Sequence, residues 1–329
     1  MFPTLDDVCK FRIDHYPASL LLASVLDPHS DQAETITHLT NYFFIAAAFV
    51  FLVVTTLTVF FLYKYRSKPG DKEPKPIYNN KKLEVFIVGI PLAMVAFFFY
   101  LTVRDMKKVL PDDDNKNPDV VITGHQWWWE AYYPASGVRT ANEVHLPVGR
   151  KILIHLRSAD VIHDWWVPQL GNKMDMIPGR ENHLWLTIKD AGVYTGACSE
   201  FCGPQHAWMR IHVYADDEKD FSNWLAAHKM SAQTPQQPLA RQGALLFQQK
   251  TCGGCHRVAG TAAVGTTGPE LTHFASRKTI LTGMMANNAE NVNKFLTNPQ
   301  NVKPGANMPN FWLDNKTRQA LVAYLMQLK

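Results

Sequence analysis

The chain has 329 residues, of which 33 are basic and 29 acidic, for a net charge of +4, with 47% hydrophobic residues and five cysteines. This length accommodates two small domains plus further elements. A charge so mild and so dispersed lacks the clustered basic face that nucleic-acid binding requires, which excludes that class.

Near the start, Cys9 stands apart from the other cysteines and reads as a bystander thiol rather than a lipid-anchor site, since no signal peptide of ordinary length precedes it. A short apolar run within 10–26, after two basic residues, leaves a vestigial or cleavable signal as the alternative. Residues 41–63 then carry no charge over 23 positions, and residues 85–103 carry none over 19. Each run is long enough for a membrane-spanning helix, so the pair is predicted to form a hairpin. Pro91 should kink the second span. The loop at 64–84 holds Lys64, Arg66, Lys68, Lys72, Lys75, Lys81 and Lys82 against Asp71, Glu73 and Glu84. The positive-inside rule places it in the cytoplasm, with both termini outside.

Beyond an acidic, proline-containing connector at 111–118, the pattern changes to period two. Ile152, Ile154 and Leu156 form one alternating run and Leu184, Leu186 and Ile188 another, which predicts a compact antiparallel sandwich ending near Ala215. A helix is expected over 216–229, followed by the polar, proline-rich stretch SAQTPQQP at 231–238, a linker by composition. The last ninety residues read as helical, with helices at 240–249 and 291–297 and a one-sided stripe of Leu321, Tyr324, Leu325 and Leu328. Gly243 is expected to let the first of these helices approach the last near Tyr324.

Two segments carry chemistry. In the first, Cys198, Cys202, His206 and Met209 lie within twelve residues. Thiolate, imidazole and thioether together select copper, and two thiolates can bridge two copper ions where one would build a mononuclear site. A disulfide is the alternative for the cysteines. The second imidazole must come from elsewhere, and His163, following a strand, is the best placed. In the other segment, Cys252-Gly-Gly-Cys255-His256 is the attachment pattern of c-type haem, with a thioredoxin-like redox pair as its rival. A methionine is expected opposite His256, because such ligation raises the potential into the range of an electron carrier. Met308 lies in a turn-rich loop 52 residues further on, with Met284 and Met285 as runners-up.

Three runs make the pattern specific: HxxWVP from His163 to Pro168, KxDxIPGR from Lys173 to Arg180, and GxCxEFCGxxHxxM from Gly196 to Met209. Together with the KPGxxMP run from Lys303 to Pro309, they resemble subunit II of haem-copper cytochrome c oxidases of the haem-c-fused (caa) type, over nearly the whole chain. The resemblance implies a multi-domain membrane protein. Its parts are an extracytoplasmic segment at 1–40, a two-helix transmembrane hairpin at 41–63 and 85–104 around the cytoplasmic loop, a cupredoxin-like all-β sandwich at 105–228, a linker at 229–239, and an all-α class I cytochrome c domain at 240–329. It implies that His163, Cys198, Cys202, His206 and Met209 bind a dinuclear copper centre through side chains and Glu200 through its carbonyl. The Glu200 carboxylate would reach a magnesium ion shared with the catalytic subunit. It further implies that the Pro269 carbonyl fixes the ring of His256, that electrons arrive at Trp127, and that Glu84 lies at the mouth of a proton path. For Trp127 a membrane-interface aromatic belt, and for Glu84 an ordinary helix-end carboxylate, are the alternatives. Asp164 and Trp165 depart from the family, which more often has a small polar residue and Phe there.

The expected function is to accept electrons from a c-type cytochrome or other donor through the fused haem c and pass them by way of the copper pair to a catalytic subunit that reduces dioxygen. Expected partners are oxidase subunits I and III and membrane lipid, in a bacterial cell membrane with both soluble domains on the periplasmic side. Dioxygen reduction itself lies outside this chain, which lacks membrane-embedded histidines for a second haem and copper B. A stand-alone membrane-anchored electron carrier is the rival reading. Nitrous or nitric oxide reductases and quinol oxidases fit the motifs less well.

Overall fold

A computed structural model describes residues 26–70, 78–110 and 117–329. Cys9, Asp71, Lys72, Glu73, Lys75 and most of the acidic connector lie outside the described residues. The chain divides into two compact units, residues 34–110 and the rest.

The smaller unit is the helical hairpin. Helix α1 runs Asp31–Lys64 and α2 runs Lys81–Val109, 34 and 29 residues. At 1.5 Å per residue these are about 51 and 44 Å long, more than the roughly 30 Å hydrocarbon core demands. The helices outrun the charge-free stretches because charged side chains at their ends keep a helical backbone while leaving the apolar zone. Along both, large apolar side chains such as Phe51, Leu62, Phe86 and Phe99 are exposed, which suits lipid rather than water. Phe43 of α1 meets Phe98 of α2 edge to face, with ring centroids 6.0 Å apart. At the start of α2 the Asn80 side chain accepts from the Leu83 N–H, capping the first turn in which Glu84 sits exposed.

The larger unit contains a two-sheet sandwich. One sheet has the order β3-β2-β1-β5-β8 and the other β4-β10-β9-β6-β7. The strands are β1 Val120–His125, β2 Trp128–Tyr133, β3 Val138–Ala141, β4 Glu143–Pro147, β5 Lys151–Ser158, β6 His163–Trp166, β7 Met174–Met176, β8 Asn182–Thr187, β9 Gly192–Cys198 and β10 Arg210–Asp216. The expectation of a purely antiparallel sandwich is corrected here, since β1 pairs with β5 and β4 with β10 in parallel. Alternation reports which face is buried, not strand direction. Ile152, Ile154 and Leu156 are fully buried as expected, but Leu153 and His155 are buried too, so β5 is covered on both faces. The sandwich reaches back to the start of α1. Ser30 Oγ donates to the Leu170 carbonyl, and Gln32 Oε1 accepts from the Thr187 N–H at 3.0 Å.

After β10, helix α3 (Glu218–His228) leads into the extended stretch before α4 (Pro238–Gln249). The second core then forms around α4, α5 (Ala289–Thr297), α6 (Pro299–Val302) and α7 (Asn315–Leu325). The helical reading of this part holds, with one small addition: Thr279–Ile280 pairs with Met285–Ala286 as a two-residue ladder. Gly243 on α4 lies against α7 so closely that a Cβ would come within 1.9 Å of the Ala320 carbonyl oxygen. Only glycine permits that crossing.

Candidate functional site

The first site forms where β6 and β9 pair, with Trp165 opposite Cys198. His163 opens β6, Cys198 closes β9, and the loop between Cys198 and Met209 folds back because the Cys198 N–H donates to the Met209 carbonyl at 3.0 Å. This brings the soft donors together. The two sulfurs are 3.7 Å apart, His163 Nδ1 is 3.9 Å from Cys198 Sγ, His206 Nδ1 is 3.6 Å from Cys202 Sγ, and Met209 Sδ is 3.8 Å from Cys202 Sγ. The Glu200 carbonyl oxygen lies 3.2 Å from Cys198 Sγ, while its side chain is exposed. Both cysteines are free thiols; their separation is far beyond the roughly 2.05 Å of a disulfide.

Charge argues for cations at this point. The hydrogen bond shared with Cys202 drives the Cys198 thiol down to about 3, and the same bond, now seen from Cys198, pushes Cys202 up. Two thiolates so close repel unless positive metal ions lie between them, so the donor set fits a dinuclear copper centre. His163 is already oriented for that role. Its Nε2 is paired with Asp160 Oδ1 at 2.8 Å, leaving Nδ1 toward the sulfurs. Asp160 was not singled out from the sequence, although its place three residues before His163 is a weak signal. Asp164 faces Asp175 across the β6–β7 pair; burial, and then that second carboxyl, raise it to about 7.

The second site is a cavity of about 230 Å³ lined by Cys252, Cys255, His256 and Met308. Apolar side chains such as Phe247, Leu271, Phe295 and Leu321 complete its wall. Met284 and Met285 do not line it. Gly268 and Pro269 bring the chain over the imidazole: a Cβ at Gly268 would lie 2.6 Å from His256 Cε1, and the Pro269 carbonyl accepts from His256 Nδ1 at 2.8 Å. Burial lowers the His256 pKa, which keeps the ring neutral and its Nε2 available to a metal. Arg277, also in the wall, is buried, and its Nε has no hydrogen-bond partner among the described residues. A neutral imidazole and a thioether on the wall of one apolar cavity, with the unpartnered Nε of Arg277 in the same wall, fit a haem.

Comparison with known proteins finds matches over both soluble parts of the chain. A family model described as cytochrome c oxidase subunit II, periplasmic domain, matches residues 135–215, and one described as cytochrome c matches residues 240–329. Cytochrome c oxidase subunit 2 of Alkalihalophilus pseudofirmus is 35% identical over 313 residues, covering 93% of this chain and 91% of that protein. This chain belongs to the cytochrome c oxidase subunit II family. The corresponding protein of Bacillus sp. strain PS3 is 33% identical over 287 residues, covering 80% of each chain. Among solved structures, the periplasmic domain of subunit II of Bradyrhizobium japonicum cytochrome oxidase is 32% identical, covering 36% of this chain and 96% of that one with a TM-score of 0.34.

As a subunit II with a cytochrome c domain fused behind it, the chain is an electron-transfer component of a haem-copper oxidase. The cytochrome c domain implies haem c, the subunit II domain implies copper A, and an oxidase implies further subunits as partners. The two apolar helices anchor the subunit in a membrane. Trp127 lies beside the Cys198–Met209 loop, 7% exposed, with its indole Nε1 donating to the Cys202 carbonyl at 2.9 Å. It also lines the haem cavity, as do Gln126 and Trp128.

Proposed function

We propose that this subunit takes electrons from an upstream c-type cytochrome or comparable donor at its haem domain and relays them through its copper centre to oxidase subunit I, with subunit III in the same complex. The observation that carries the reading is that one residue, Trp127, borders both sites: its side chain lines the haem cavity and hydrogen-bonds the copper loop. When bound, haem c and the copper pair supply one-electron redox chemistry. The protein's part is to hold and orient. Cys252 and Cys255 would anchor the haem covalently, and His256 and Met308 would hold its iron. His163, Cys198, Cys202, His206, Met209 and the Glu200 carbonyl would hold the coppers. Asp160 fixes the ring of His163, and the Pro269 carbonyl fixes that of His256. Opposed hydrogen bonds of this kind reduce the reorganisation that accompanies a change of charge.

The exposed Glu200 carboxylate is suited to a magnesium ion shared with subunit I. Glu84, in the first turn of α2, is proposed to sit at the mouth of a proton path. Described basic residues around the hairpin loop, Lys64, Arg66, Lys68, Lys81 and Lys82, favour a cytoplasmic loop and periplasmic soluble domains in a bacterial cell membrane.

The test is metal and haem analysis of the subunit purified gently from its native membrane, with the co-purifying chains identified. Two coppers and one covalent haem per chain, beside a large subunit with non-covalent haem, are expected. The same cofactors on a lone chain would overturn the oxidase assignment in favour of a free-standing electron carrier.

A further inference from the structure

The face of the copper domain that carries Trp127 is covered by the chain's own haem domain, and two buried charges cross the boundary in opposite directions. Lys303, 4% exposed, donates from Nζ to the Trp127 carbonyl at 2.8 Å and to Thr282 Oγ1 at 3.3 Å. Glu143, at the start of β4 and 5% exposed, accepts at one carboxylate oxygen from the backbone N–H groups of Lys278 and Thr279, at 2.7 and 3.1 Å. Between these two anchors the Thr282 hydroxyl donates to the Trp208 carbonyl at 2.6 Å. Gly283, at φ +85°, lies on the buried ring of His212, where a Cβ would come within 2.2 Å of Cε1. On the copper loop itself, the Gln205 amide donates to the Pro304 carbonyl.

Transient electron-transfer encounters are small and leave their charges hydrated. Taking an ammonium and a carboxylate out of water is costly unless the lost hydrogen bonds are replaced, and here each is replaced by groups of the opposite domain. A contact that withdraws one cation and one anion from water, and leaves no room for a single added carbon at Gly283, has the chemistry of a settled interface.

We propose that the haem domain is a fixed cap on the Trp127 face, held by the reciprocal insertion of Lys303 and Glu143, so that Trp127 receives electrons only from the chain's own haem and is closed to a soluble donor. This rests on the electron-relay reading above. Lys303 and Glu143 are positioning residues, since neither is a cofactor ligand. The opposing arrangement is a haem domain that swings on the stretch before α4 and leaves Trp127 open part of the time.

Hydroxyl-radical labelling of the full chain in detergent distinguishes the two, with Trp312, 84% exposed, as the internal standard for a free indole. In the wild type Trp127 is expected to label at least 10-fold more slowly than Trp312. Both Lys303→Met and Glu143→Ala should raise Trp127 labelling at least 5-fold, although the hydrogen bonds of Glu143 go to Lys278 and Thr279, because the cap opens as a unit. The two variants lie in different domains, so misfolding of one leaves the other to decide, and the haem and copper spectra check each fold. Wild-type labelling of Trp127 at the rate of Trp312, or a rise confined to Lys303→Met, would overturn the fixed cap. Labelling needs no cofactor. Protection of Trp127 in a chain found to bind neither copper nor haem would leave the cap standing and sink the relay instead.

Discussion

At the proposed copper site, donor atoms of His163, Cys198 and Cys202 lie within 4.8 Å of one another, the first two on paired strands and the third on the loop after β9. At the haem site, His256 and Met308 come from loops 52 residues apart and share only the wall of a cavity. The difference follows from the size of what is held. A metal ion brings no packing surface, so the sheet must gather every donor in advance. A porphyrin brings a large apolar face, so the chain need supply only a lined space with His256 and Met308 in its wall, and the prosthetic group would complete the core.

The comparison can be broken most severely at a bridging thiol. Cys202→Ser should abolish the near-infrared band of the mixed-valence copper pair while leaving the haem spectrum intact; persistence of the band would remove Cys202 from the ligand set. At the haem, Met308→Ala should remove the weak absorption of the sulfur–iron bond and lower the potential by on the order of 0.1 V, within the span of about 0.8 V that axial ligands cover. An unchanged spectrum there would remove Met308 from the ligand set. A smaller effect is expected one step out from the metal, where Asp160→Asn should weaken copper retention about 10- to 100-fold in a chelator competition, with haem content unaffected. The mildest test uses pH. Burial lowers His125 and His212, both in the copper domain, to about 4, below the ordinary value of 6.5. The unfolded chain therefore binds their protons first, and the stability these two rings contribute falls as pH drops from about 6.5 towards 4, against an opposite contribution from the raised carboxyl of Asp164. The loss of Tm between pH 7.5 and pH 5 in the metal-free chain should therefore be smaller in His212→Gln than in the wild type, and an equal loss would contradict the buried, neutral state of this ring.

Much of this was legible in the residues themselves. Four of the proposed copper ligands, Cys198, Cys202, His206 and Met209, are crowded into a short segment that a tight loop after β9 folds together, so their spacing is nearly their geometry, whereas His163 comes from β6. CxxCH is equally local, whereas the Pro269 carbonyl over His256 was expected only from the family resemblance. Strand direction was not legible, since a parallel and an antiparallel partner leave the same alternation in β1, β4, β5 and β10. Nor was the cap. Glu143 and Lys278 are 135 residues apart, Trp127 and Lys303 are 176 apart, and no periodicity or motif ties such pairs. Lys303 was visible only as part of the KPGxxMP run, where nothing marks its ammonium as buried.

The burial of Lys303 and Glu143 also bears on how the subunit responds to its surroundings. Dissolved ions screen exposed charges over about 8 Å at physiological ionic strength, but reach buried ones far less. Transfer inside the chain is first order by construction, because covalent linkage replaces collision with a fixed local concentration. In dilute or saline water the hand-off from haem to copper should therefore keep its rate, and only the outer step, where a separate donor must find the haem domain, should slow with salt and dilution.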